Sequence, residues 1–167
     1  MKNKGFGYAQ ICLNGHIKYS NWNSEALPEG FCKECGEAVI NKCLNCGEFI
    51  DGRGRTPFDL QRDLWLYSKD PYIIPKFCPH CGKAYPWTQR GIELANSLID
   101  ETSLTNEEKN DFKENISIIV RNAPATSTAA KKVRKYLQKI EVNAGEAIYK
   151  AFIDFSSSVA AKIITGG

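Results

Sequence analysis

From residue 88 onward apolar positions recur at helical spacing, and the segment divides into three or four helices. The first is expected from about Trp87 to Leu98, with Thr88 as its N-cap and Ile92, Ala95, Leu98 and Ile99 on one face. The second opens at Thr105. Glu108, three residues on, completes a capping box, and Phe112, Ile116, Ile119 and Val120 form the apolar stripe. Asn122-Ala123-Pro124 ends it. A third helix is expected over 127–142, stopped by Asn143-Ala144-Gly145. The last is expected over 146–164, where Ile148, Phe152, Phe155, Val159 and Ile163 step by 4, 3, 4 and 4.

Before residue 87 the pattern differs. All seven cysteines lie between positions 12 and 81, and residues 88–167 contain neither cysteine nor histidine. The spacing predicts an α+β protein: a β-rich double zinc ribbon over 1–87, then a helical region over 88–167. A short internal repeat lies inside the first part. Phe31-Cys32-Lys33-Glu34-Cys35-Gly36-Glu37-Ala38 aligns with Phe77-Cys78-Pro79-His80-Cys81-Gly82-Lys83-Ala84. The insert 47–77 carries Gly52-Arg53-Gly54-Arg55, read as a solvated turn, and an aromatic stretch through Phe58, Trp65, Tyr67 and Tyr72. Its length suits a hairpin, or a surface loop with a helical turn near 58–67.

Four ligand pairs follow one another: Cys12-x-x-x-His16, Cys32-x-x-Cys35, Cys43-x-x-Cys46 and Cys78-x-x-Cys81. Two residues between cysteines let a tight turn aim both sulfurs at one ion. Gly36, Gly47 and Gly82 each follow a pair, where a positive φ lets backbone N–H groups approach the sulfurs. Eight ligands suffice for two tetrahedral Zn²⁺ sites, one Cys₃His and one Cys₄. Sequential use joins Cys12, His16, Cys32 and Cys35 on one ion, and Cys43, Cys46, Cys78 and Cys81 on the other. An interleaved arrangement joins Cys12/His16 with Cys43/Cys46, and Cys32/Cys35 with Cys78/Cys81. His80 sits inside the last knuckle and reads as a surface residue. A redox dithiol lacks its βαβ context, and mixed spacing with a histidine favours zinc over an iron–sulfur cluster.

The stretches 9–16, Phe31-Cys32-x-x-Cys35-Gly36, Lys42-Cys43-x-x-Cys46 and Phe77-Cys78-x-x-Cys81-Gly82, ending in Tyr85-Pro86-Trp87, resemble a family of uncharacterised bacterial zinc-ribbon proteins. The resemblance covers residues 8–90. It implies the same eight ligands, a bacterial cytoplasmic protein, and no particular activity.

Charge adds little. The formal net charge is +3, but a Cys₄ zinc site carries about −2 and a Cys₃His site about −1. The metal-loaded chain is therefore near neutral. Lys131, Lys132, Arg134, Lys135 and Lys139 cluster on the third helix, where such a run reads first as a solvated face. The basic start Met1-Lys2-Asn3-Lys4 leads into no apolar core, so no secretory signal is expected. No stretch approaches the roughly 20 apolar residues of a membrane span. A cytoplasmic setting with reduced thiols is expected.

Functional expectations follow from these features. Eight ligands fill two zinc sites, leaving no open position for a catalytic water. The chain has no H-E-x-x-H, Walker loop or G-x-S-x-G motif, so no enzyme is expected. The leading expectation is a non-catalytic adaptor whose C-terminal helices bind a protein partner or self-associate. A nucleic-acid module is the alternative, using the third-helix cations and base stacking by Trp65, Tyr67 and Trp87. A membrane-acting effector through the last amphipathic helix is a third.

Overall fold

In the computed structural model the described residues are 6–20, 30–54, 71–154, 156 and 158–166. The chain divides into two compact units, residues 1–88 and 89–167. The architecture is α+β, with the strands in the first half and the helices in the second.

In the first unit β2 (Gln10–Cys12), β3 (Ile17–Tyr19), β4 (Gly30–Phe31) and β5 (Ala38–Ile40) form an antiparallel sheet in the order β3-β2-β5-β4. The central pair β2 and β5 matches Ile11 with Ile40 and Cys12 with Val39. β1 (Phe6–Tyr8) pairs with β6 (Asp51–Gly54) as a separate ribbon. The Gly52-Arg53-Gly54 stretch is thus a strand, not the solvated turn its glycines suggested; Arg55 lies outside the described residues. Gly52 is needed there for closeness: a Cβ would stand 2.8 Å from the Tyr8 carbonyl oxygen. The rest of the insert's aromatic stretch, Phe58, Trp65 and Tyr67, also lies outside the described residues. Among the described residues the buried apolar side chains of this unit, apart from the cysteines, are Ala9, Ile11, Val39, Ile50, Tyr85 and Trp87.

Among the described residues five helices follow: α1 (Pro86–Asp100), α2 (Asn106–Arg121), α3 (Thr126–Leu137), α4 (Val142–Ile153) and α5 (Ser158–Thr165). The pattern predicts three or four. α1 begins at Pro86, whose fixed φ and missing N–H suit a first helical position. Thr88 is therefore inside the helix and fully buried rather than its cap. α2 has the expected capping box, with Thr105 Oγ1 accepting from the Glu108 N–H and Glu108 Oε2 accepting from the Thr105 N–H. Asn122 closes it in the left-handed region at φ 51°.

The third expected helix ends early, at Leu137, and Asn143-Ala144-Gly145 lies inside α4 instead of breaking the chain. Gly145 is buried near the Leu137 carbonyl, so tertiary packing outweighs its weak helix propensity. The long last helix is interrupted after Ile153. There Ser156 donates through its backbone N–H and its hydroxyl to the Ile153 carbonyl, at 2.9 and 2.8 Å, offering the backbone a local alternative to the helix. Phe155, part of the expected stripe, lies outside the described residues.

In the second unit Phe112, Ile116, Ile119 and Val120 of α2 and Ala129, Ala130 and Val133 of α3 are buried. α3 packs against both α2 and α5. Asp111 fastens α2 to α3 by accepting from Lys132 at 2.9 Å and from the Tyr136 hydroxyl at 2.7 Å.

Candidate metal centre

Every ligand residue sits on a turn that a β-pairing closes. The β2–β3 turn carries Cys12 and His16, and the β4–β5 turn carries Cys32 and Cys35. Because β2 lies beside β5, the two turns come together. The other two turns are each closed by a single bridge, Lys42 with Phe49 and Phe77 with Ala84. Three of the turns are copies of one another. Gly36, Gly47 and Gly82 have φ of 73°, 74° and 70°, and each donates its N–H to the carbonyl of the leading cysteine at 2.8 Å. A positive φ is cheap only for glycine, so the residue after each pair sets the turn that aims the sulfurs.

The structure gathers Cys12, His16, Cys32 and Cys35 into one cluster and Cys43, Cys46, Cys78 and Cys81 into another. This is the sequential grouping rather than the interleaved one. In the first cluster Cys12 Sγ lies 3.8 Å from Cys35 Sγ. His16 Nδ1 lies 3.6 Å from Cys12 Sγ, 3.6 Å from Cys32 Sγ and 3.3 Å from Cys35 Sγ. In the second, Cys43 and Cys81 sulfurs are 3.7 Å apart, as are those of Cys46 and Cys78.

These distances have a simple physical reading. An ion held tetrahedrally by bonds of about 2.3 Å to sulfur and about 2.0 Å to nitrogen sets S···S edges of about 3.8 Å and S···N edges of about 3.5 Å. A disulfide would need about 2.05 Å. Both clusters match the single-ion tetrahedron, so the donor sets fit a metal ion such as zinc. His80 is exposed and belongs to neither cluster.

The electrostatics agree with a cation-shaped site. The Glu37 backbone N–H, with His16 and the neighbouring thiols, draws the Cys35 thiol down to about 7 against the effect of burial. The Lys83 backbone N–H, with Cys46 and Asn45, draws Cys81 down to about 7. Cys46 moves the other way. The Glu48 backbone N–H favours its thiolate, but burial and the Cys81, Cys78 and Cys43 sulfurs push it up to about 12. Four crowded acids cannot all ionise alone, and a divalent cation removes that conflict.

Outer contacts complete the picture. The His16 backbone N–H donates to Cys12 Sγ at 3.2 Å, and Asn14 Nδ2 donates to Cys35 Sγ at 3.6 Å. Asn45 makes the corresponding side-chain hydrogen bond to Cys81. On its outer side His16 Nε2 lies 3.9 Å from Glu34 Oε2, the placement of a carboxylate that orients a ligating imidazole. Sequence reasoning named none of these supporting residues. The repeated tripeptides Cys12-Leu13-Asn14 and Cys43-Leu44-Asn45 were the available signal for the two asparagines.

Trp87, offered by the sequence as a base-stacking surface, is 3% exposed and stacks on Tyr85 with ring centroids 4.8 Å apart. Of the basic run, Lys132 pairs with Asp111 at 2.9 Å and Lys139, which lies beyond the end of α3, pairs with Glu108 at 2.6 Å. No helix among the described residues is long and apolar enough to cross a membrane.

No curated protein and no solved structure matches the chain. A family model matches residues 6–164, and so takes in the helices as well as the knuckles. The chain belongs to that bacterial family, described as an uncharacterised protein conserved in bacteria (DUF2321).

Proposed function

We propose that this protein is a non-catalytic adaptor built on two structural zinc ions. Cys12, His16, Cys32 and Cys35 hold one ion, and Cys43, Cys46, Cys78 and Cys81 hold the other. The observation that carries the reading is the pair of four-donor clusters, each with its donor atoms within 4.8 Å of one another, contacts of 3.3–3.8 Å among them, and protein ligands alone. A closed Cys₃His or Cys₄ site holds structure and leaves no position for substrate or an activated water. Zinc is the choice among metals because thiolate-rich tetrahedral sites with an imidazole suit it.

The adaptor part rests on what the turns present outward. Phe31, directly before Cys32, is 75% exposed, and Leu44, inside the Cys43 knuckle, is 70% exposed. Beside the first centre lies a hollow of about 250 Å³ lined by Ile17, Lys18, Phe31, Cys32, Lys33 and Glu34. Large apolar side chains fixed on metal-stiffened turns suit contact with a protein partner, because little freedom remains to be lost on binding. The nucleic-acid alternative loses support from the ion pairs of Lys132 and Lys139 and from the burial of Trp87. The membrane alternative loses support from the burial of Ile148, Phe152 and Ile164.

The test is elemental analysis joined to affinity purification from the native host, with and without nuclease. Two zinc ions per chain, and a protein partner that survives nuclease but is lost in a Phe31→Ser, Leu44→Ser variant, are expected. Partners that vanish on nuclease treatment would overturn the adaptor reading in favour of nucleic acid.

A further inference from the structure

The ribbon unit buries a phenol beside its second centre. Tyr85 is 1% exposed. Its backbone N–H donates to the Lys76 carbonyl at 3.0 Å, and its ring stacks on Trp87, whose indole N–H donates to the Pro75 carbonyl at 2.9 Å. The ring is therefore fixed from two sides. Its hydroxyl is buried and makes no hydrogen bond of good geometry among the described residues. The sulfurs of Cys78 and Cys43 are among its neighbours, and the Cys78 side chain lies within hydrogen-bonding reach of the hydroxyl.

A phenylalanine would keep the same stack without burying an unpaired hydroxyl, so the oxygen requires a separate explanation. The neighbouring sulfur supplies one. A ligand thiol must lose its proton to bind metal, and the resulting thiolate is a far better acceptor for the phenol than the thiol is. The donor also stands at the centre that needs it more, since four thiolates around a divalent ion leave more negative charge than three thiolates and an imidazole.

We infer that the Tyr85 hydroxyl is a positioning donor to the Cys78 thiolate, and that it sets how firmly the Cys43/Cys46/Cys78/Cys81 centre holds its ion. The inference rests on the two-zinc reading. Removing an outer-shell partner of this kind typically costs 10–100-fold in metal affinity.

The test compares the full-length protein with Tyr85→Phe, after loading with Co²⁺ for spectroscopy and with Zn²⁺ for transfer to a chromogenic chelator. Cobalt distinguishes the two centres, because Cys₄ and Cys₃His sites absorb differently. Tyr85→Phe is expected to shift the sulfur-to-cobalt charge-transfer band of the Cys₄ centre alone. It is expected to speed zinc transfer from that centre about tenfold and to leave the Cys₃His centre unchanged. A fluorinated tyrosine at position 85, a stronger donor of nearly the same shape, is expected to shift the band and the rate in the opposite direction. Equal acceleration at both centres would mean general loosening and would overturn the inference, as would an unchanged band and rate in both variants. If the unaltered protein gave no tetrahedral thiolate spectrum with Co²⁺, the two-zinc reading itself would fall.

Discussion

At the scale of single residues, cysteine burial separates two kinds of ligand position. Cys12, Cys43 and Cys78 are at most 4% exposed, whereas Cys35 and Cys46 lie at the surface. The first member of each pair is anchored in the sheet or turn, and its partner closes the site from outside. Cys78→Ser is therefore expected to lower the zinc content from two ions to one and to unfold the ribbon unit, because serine supplies no thiolate and leaves a buried hydroxyl among three sulfurs. Elemental analysis with limited proteolysis checks this. Two bound ions and unchanged protease resistance would sink the structural role given to that centre. The eight clustered residues were legible in the sequence because each pair is local. Their supporting groups were not, because they come from distant positions: Asn14 reaches Cys35 across 21 residues. Nothing in a pair's spacing announces which side chain another hairpin will deliver.

At the scale of elements, local signals were readable and packing effects were not. The Thr105–Glu108 capping box and the Asn122 stop belong to the chain's own backbone, and both appear in α2. Thr88 looked like a cap but is buried in α1, and Gly145 looked like a breaker but is buried in α4. Two glycines test the distinction with opposite signs. A Cβ at Gly145 would meet only the Leu137 oxygen at 3.5 Å and side-chain atoms at 3.7 and 3.8 Å, which is ordinary contact. Gly145→Ala is expected to stabilise the helical unit by about 0.5–1 kcal/mol, the gap in helix propensity between the two residues. A Cβ at Gly52 would meet three backbone atoms of Gly7 and Tyr8 at 2.8–2.9 Å. Gly52→Ala is expected to cost the β1–β6 pairing about 2 kcal/mol or more, since the backbone cannot rotate aside as a side chain can. Denaturant midpoints of the two variants measure both, and a destabilising Gly145→Ala would show that the packing there requires the absence of a side chain.

At the scale of the molecule, the two units rest on different physics. The helical unit buries aliphatic and aromatic side chains from α1 through α5 and ties α2 to α3 through Asp111. Among its described residues the first unit has short strands of two to four residues and few buried side chains, and such sheets alone bury little. On the two-zinc reading its stability is largely metal-binding free energy. Removal of zinc by a strong chelator is thus expected to act on the first unit alone. Protease protection over the described parts of residues 6–88 should be lost, while the far-ultraviolet helical signal and protection over 89–154 persist. Acid should act in the same direction, since His16 and all seven thiols must be deprotonated to bind, so falling pH favours the proton over the ion. Returning zinc at neutral pH under reducing conditions should restore protection. Simultaneous loss of both units on chelation would show instead that the helices depend on the ribbons for their fold, and protection of both units without metal would remove the reason for two closed centres in so small a β-structure.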